Sequence, residues 1–109
     1  MDSELLVNDA TVEDIGRMCC TDFERERWLC GNDAALMATL IFSAKESFYK
    51  CVYAFARRFI DFSEVEAVTC DDRRLRMRLV TTPELRDHLS QFDVNFRIEG
   101  GMVHTAVCL

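Results

Sequence analysis

Phe42-Ser43-Ala44-Lys45-Glu46-Ser47-Phe48-Tyr49-Lys50 is the stretch from which the fold and the chemistry can be read outward. Ser43 and Glu46 have the spacing of a capping box, which predicts that a helix opens here. The apolar positions Phe48, Val52, Phe55 and Phe59 then recur at three- to four-residue intervals and predict its buried stripe, flanked by Tyr49 and Tyr53. Arg57 and Arg58 fall in its last turn, where cations suit the helix dipole. Glu46 and Lys50 lie four residues apart and so share one helical face. A carboxylate between two lysines is what a reaction on a pyrophosphate ester requires: an oxygen ligand for a divalent cation, and cations that face phosphates.

Upstream, Val12, Ile15, Met18 and Cys19 predict a short helix over Thr11–Cys19. Thr21-Asp22-Phe23-Glu24 is a second capping box, opening a helix through Trp28. Gly31-Asn32-Asp33 breaks that helix, and Asp33 can cap a further segment from Ala34 to Leu40. Downstream the period changes. Val65–Cys70 predicts a strand, Asp71-Asp72 a turn, and Leu75–Val80 a strand with apolar residues inward and arginines outward. Thr82-Pro83 predicts a short helix to about Gln91. Val94–Ile98 and Met102–Cys108 flank Glu99-Gly100-Gly101 and predict a closing hairpin. Helices first and antiparallel strands after them make an α+β domain, one unit over residues 1–109.

Composition narrows the functional classes. Half the residues are hydrophobic and 29% are charged, as in a globular protein, and no apolar run approaches the length of a membrane span. A net charge of −6 argues against general nucleic-acid binding. The arginines at 57, 58, 73, 74, 76 and 78 are nonetheless concentrated mid-chain, as the outer face of a strand or as a surface for an acidic partner. Six cysteines without a C-x-x-C pair predict reduced, mostly buried thiols rather than a zinc site. His88 and His104 read as structural. One proline and four glycines leave no room for a linker.

Phe42–Lys50 closely resembles the W/F-S-x-K-E-S/A-x-x-K signature of the 4'-phosphopantetheinyl transferases. Other stretches agree. Asp2-Ser3-Glu4 is similar to the family's D-x-E, Thr21–Arg25 to its helix-opening T/S-x-x-E segment, and Phe59-Ile60-Asp61-Phe62 and Val103–Val107 to stretches of its siderophore-synthase (enterobactin) branch. Asp2 and Glu4 precede Glu46 by 44 and 42 positions, the separation the family shows. The resemblance implies a helix-on-sheet half-domain, equivalent to the second half of a two-half, surfactin-type enzyme. It also implies transfer of the 4'-phosphopantetheine arm of coenzyme A to a serine of an apo acyl or peptidyl carrier protein, of siderophore or related nonribosomal peptide assembly, in the cytoplasm. Asp2, Glu4 and Glu46 would hold Mg2+. Glu46 would also take the serine proton. Lys45 and Lys50 would sit by the coenzyme A phosphates, Lys50 assisting the leaving oxygen.

Each residue also has a plainer reading. Glu46 is explained by the capping box alone, Lys45 and Lys50 by solvated helix positions, and Asp2 and Glu4 by a loosely held chain end. Nothing in the chain corresponds to the first half of such an enzyme. A fragment of a longer enzyme, a separate first-half partner and self-association are all open, as is a non-catalytic half-module that binds a carrier protein or its partner. A lone half predicts exposed apolar surface and oligomers.

Overall fold

The structure, a computed structural model, describes residues 1–56, 61–80 and 91–108. The elements follow in the order β1 (Asp2–Leu5), α1 (Asp9–Cys19), α2 (Asp22–Trp28), α3 (Ala34–Ala56), a 3-10 turn (Phe62–Glu64), β2 (Val65–Cys70), β3 (Arg74–Leu79), β4 (Gln91–Glu99) and β5 (Met102–Cys108). The strands form an antiparallel sheet in the order β1-β5-β4-β3-β2, with α3 against one face. This is the α+β architecture that the order of helical and strand periods predicts.

Strand alternation sets the core. Leu75, Met77 and Leu79 of β3, Phe92 and Val94 of β4, and Val103 of β5 point to one face and are buried against Leu40, Ile41, Ala44, Phe48 and Val52 of α3. The rings of Phe48 and Phe92 stack with centroids 4.3 Å apart. Tyr49 packs edge-on to Phe62, and Tyr53 is exposed. On the other face Arg76 pairs with Asp93 at 3.0 Å, and Arg78 pairs with Glu66. The arginines thus lie outward as expected, meeting acids of neighbouring strands. At the β4–β5 hairpin, Gly100 and Gly101 take φ of 59° and 77°, the paired left-handed conformation of a two-residue turn.

The helical region differs from the sequence reading at one place. The break between Leu40 and Ser43 does not exist: α3 runs without interruption from Ala34 to Ala56. This segment holds neither glycine nor proline. Ser43 therefore lies mid-helix, and its hydroxyl is used across the interface with the sheet instead of on its own backbone. Glu46 is not a capping residue. The strand at Val94–Ile98 begins earlier, at Gln91. The rest of the helix expected over Thr82–Gln91, with His88, falls outside the described residues, as do Arg57, Arg58, Phe59 and the side chain of Phe55.

The capping box at Thr21 is present and has a second use. Glu24 Oε1 accepts from the Thr21 N–H (2.9 Å) and from Lys45 Nζ (2.6 Å), while Oε2 accepts from the Ala67 N–H (2.7 Å). Trp28 Nε1 donates to the carbonyl of the same Ala67 at 2.9 Å. α2 thereby covers the free edge of β2 by taking both polar groups of one peptide position. Lys45 completes the junction by donating to the carbonyls of Cys19 and Phe62, each at 2.7 Å. Both members of the ion pair are fully buried.

Among the described residues the cysteines are free thiols. Cys19 and Cys20 are buried, and burial pushes the Cys20 thiol up to about 12. Cys30 and Cys51 are exposed, so the expectation of mostly buried thiols holds only in part.

Two outcomes are expected. Lys45→Ala leaves Glu24 charged and buried without its counter-ion, and urea unfolding followed by circular dichroism should show a loss of about 3–5 kcal/mol. A loss under 1 kcal/mol would refute this account of the junction. The β2–β3 turn supplies a pH test: Asp71 accepts the N–H groups of Arg73 and Arg74, which hold its carboxyl below the ordinary 3.8. Its contribution is present above the unfolded value and is lost as pH falls through the folded one. Asp71→Ala should therefore flatten the stability profile between the unfolded value and the lower folded one, leaving its shape at neutral pH unchanged.

Candidate active site

Alternation along β1 turns Asp2 and Glu4 to the same side of the sheet. Their pairing with Thr105 and Val103 of β5, both buried, fixes that side as the one facing α3. The chain start is therefore held in the sheet. Opposite it, the middle turns of α3 present Ser43, Glu46, Ser47 and Lys50. Asp2 is buried, and its two oxygens are divided between two donors: Oδ2 accepts from Ser43 Oγ at 2.8 Å, Oδ1 from Lys50 Nζ at 2.9 Å. The Lys50 side chain itself is 58% exposed.

Like charges crowd this corner. Partial burial pushes the Glu4 carboxyl above its ordinary range, and the charge of Asp2, a hydrogen bond with Asp2 and the charge of Glu46 push it further, with Lys50 opposing. Lys50 is pushed up first by its hydrogen bond to Asp2 and then by the charge of Asp2; burial opposes, and the charges of Glu46 and Glu4 add smaller upward pushes. The structure thus brings Asp2, Glu4, Glu46 and Lys50 into one electrostatic cluster. Three carboxylates supply only hard oxygen ligands, the donor chemistry that suits Mg2+ or Ca2+ better than zinc. Among the described residues no set of three or more His, Cys, Asp and Glu side chains is gathered closely enough to enclose an ion. The donor set fits such a cation in kind, and its oxygens would have to draw together to hold one.

Lys45 is placed elsewhere. The sequence reading put it beside Lys50 at the phosphates, yet its side chain points into the interior, and its three N–H hydrogens are all given to Cys19, Glu24 and Phe62. Neighbours on a helix are about 100° apart, so residues 45 and 46 cannot both face the acids. Sequence reasoning gave Ser43 only a capping role and passed over Ser47 and Thr105. Ser43 Oγ and Ser47 Oγ lie 2.8 and 2.7 Å from Thr105 Oγ1, all buried. Thr39, Ser43 and Ser47 form a polar stripe at four-residue spacing along the helix. That signal was legible once the helix was taken as continuous. His104 contacts Ser3 across the strands at 2.7 Å on the opposite face. A cavity of about 580 Å³ lined by Arg73, Arg74, Asp93, Asn95, Phe96 and Arg97 lies away from the acids.

Helices on an antiparallel sheet, with a D-x-E strand facing a K-E-S-x-x-K helix, delimit the kind of protein this is. A family model of the 4'-phosphopantetheinyl transferase superfamily matches residues 2–108, and the chain belongs to that superfamily. No curated protein sequence matches the chain.

If Glu46 caps nothing, Glu46→Ala should change the unfolding free energy by no more than about 0.5 kcal/mol, against the ~1 kcal/mol of a broken cap. Removing its charge should also lower the Glu4 titration midpoint in a carboxyl-detected NMR titration. An unmoved Glu4 would show that the two carboxylates do not interact.

Proposed function

We propose that this chain transfers the 4'-phosphopantetheine arm of coenzyme A to a serine of an apo carrier protein, as the second half of a surfactin-type transferase. The observation that carries this reading is the approach of Asp2 and Glu4 from one strand to Glu46 and Lys50 from one helix, within a chain of that superfamily. In the reaction the serine oxygen bonds to the phosphorus that carries the pantetheine arm. The pyrophosphate P–O bond breaks, and adenosine 3',5'-bisphosphate leaves. Mg2+, held by Asp2, Glu4 and Glu46, would neutralise the pyrophosphate when bound. Glu46, half-buried at the mouth of the cluster, accepts the serine proton. Lys50 has the reach and exposure to meet the leaving oxygen, and its ammonium is kept charged by the acids around it. Lys45 has no hydrogen left to give to a phosphate.

The same reading places the carrier in siderophore or nonribosomal peptide assembly and the protein in the cytoplasm. No helix among the described residues is long and apolar enough to cross a membrane. Leu5 and Leu6, exposed where β1 ends beside the β4–β5 turn, favour a partner half or a second copy covering that end.

Intact-protein mass spectrometry of an apo peptidyl carrier protein incubated with the chain, coenzyme A and Mg2+ tests the reaction. A phosphopantetheine adduct is expected, and Glu46→Ala should abolish it with folding intact. The absence of both an adduct and any Mg2+-dependent binding of coenzyme A would overturn the assignment.

A further inference from the structure

Buried hydroxyls in a helix commonly satisfy themselves on the carbonyl four residues back. Thr39 does so, with Oγ1 donating to the Ala35 carbonyl at 2.8 Å while accepting the Val7 N–H at 3.1 Å. Ser43, one turn on, does not. Its single hydrogen goes to Asp2 Oδ2 at 2.8 Å, so at the 2.8 Å contact between Ser43 Oγ and Thr105 Oγ1 the donor must be Thr105. Thr105 shares that hydrogen with the Ser43 carbonyl at 3.1 Å. Ser47 then donates to Thr105, to Oγ1 at 2.7 Å or to its carbonyl at 3.2 Å. The hydrogen bonds run in one sense, from Ser47 to Thr105 to Ser43, and they end on Asp2.

We propose that Ser43, braced by Thr105 and Ser47, is a positioning residue for Asp2, fixing the orientation of its carboxylate toward the cation site. This rests on the metal-ligand reading of Asp2 given above. Beside its hydrogen bond with Glu4, Asp2 has two donors of different character. Lys50 is mostly in water at the end of a four-carbon stem, where many rotamers are open to it. Ser43 is wholly buried, on a rigid helix, with its oxygen pinned from behind. Only the second donor can hold Oδ2 to one place, which fixes the carboxylate while its remaining lone pairs stay available to a cation. A partner that orients a ligand carboxylate in this way typically changes metal affinity by 10- to 100-fold.

The test uses Mn2+ as a spectroscopic probe, titrated into the whole chain and followed by electron paramagnetic resonance. Wild type should bind, and Ser43→Ala should raise the dissociation constant about 10-fold or more. Thr105→Val, which removes the brace but keeps the shape, should weaken binding, whereas Thr105→Ser should restore it. Trp28→Phe supplies the comparison: it loses the bond to Ala67, lowering stability far from Asp2, and should leave Mn2+ affinity at the wild-type value. Wild-type affinity in Ser43→Ala, or equal affinities in the two Thr105 variants, would overturn the positioning role while the metal reading stands. Should Ser43→Ala fail to fold, the Thr105 pair decides alone. No Mn2+ binding by wild type would remove the metal reading and the positioning role together.

Discussion

The buried pair of Glu24 and Lys45 is the constraint on which the arrangement of this chain depends. Taking two charges out of water is costly, and the cost is recovered only when every donor and acceptor is satisfied. Here Lys45 gives hydrogens to three elements, the end of α1, the start of α2 and the turn before β2, while Glu24 adds the backbone of β2 itself. A rotation of α3 by one residue would strand the ammonium in the core. The pair therefore sets the rotation of the helix, and with it which residues of α3 can face the acids of β1.

That rotation explains why two lysines in one motif have separate fates. Position 45 is turned to the α1–α2 side and is consumed by structure. Positions 43, 46, 47 and 50 are turned to β1 and β5. The same helix thus carries a buried ion pair on one flank and a polar seam on the other, with the apolar contact of Phe48 and Val52 onto the sheet between them. Polar seams of this kind are tolerated in a core only when fully paired, and the seam from Ser47 to Asp2 is. Tyr49 is the exception nearby: its hydroxyl is buried without a partner among the described residues, and burial pushes it well above the ordinary tyrosine range.

The sheet face turned away from α3 is polar but largely self-neutralised. Arg74, Arg76 and Arg78, whose side chains are exposed, are matched by half-buried Asp93 and buried Glu66 on adjacent strands. Cross-strand pairing of this sort helps fix the register of β2, β3 and β4. It also dilutes the basic character that the run of arginines suggests when viewed as sequence, because the compensating acids come from the strands on either side of β3.

Local signals settled most of the architecture. The alternation at Leu75–Leu79, the capping box at Thr21–Glu24 and the glycine pair at 100 and 101 each act within a few residues, so the chain alone determined α2, β3 and the final hairpin. The motif from Phe42 to Lys50 likewise marked the right helix and, with Asp2 and Glu4 at the right separation, the right family. What tertiary structure decided is the use of each side chain. A Ser-x-x-Glu pattern has the same form at a helix start and in a helix middle, and only the placement of Asp2 and Thr105 across from Ser43 chose the second. Which lysine is buried was decided by Glu24, 21 positions away, and the order of β1 by a strand 100 residues later. Those choices depend on partners distant in sequence, and burial enforces them because an unpaired charge or hydroxyl in the interior is costly.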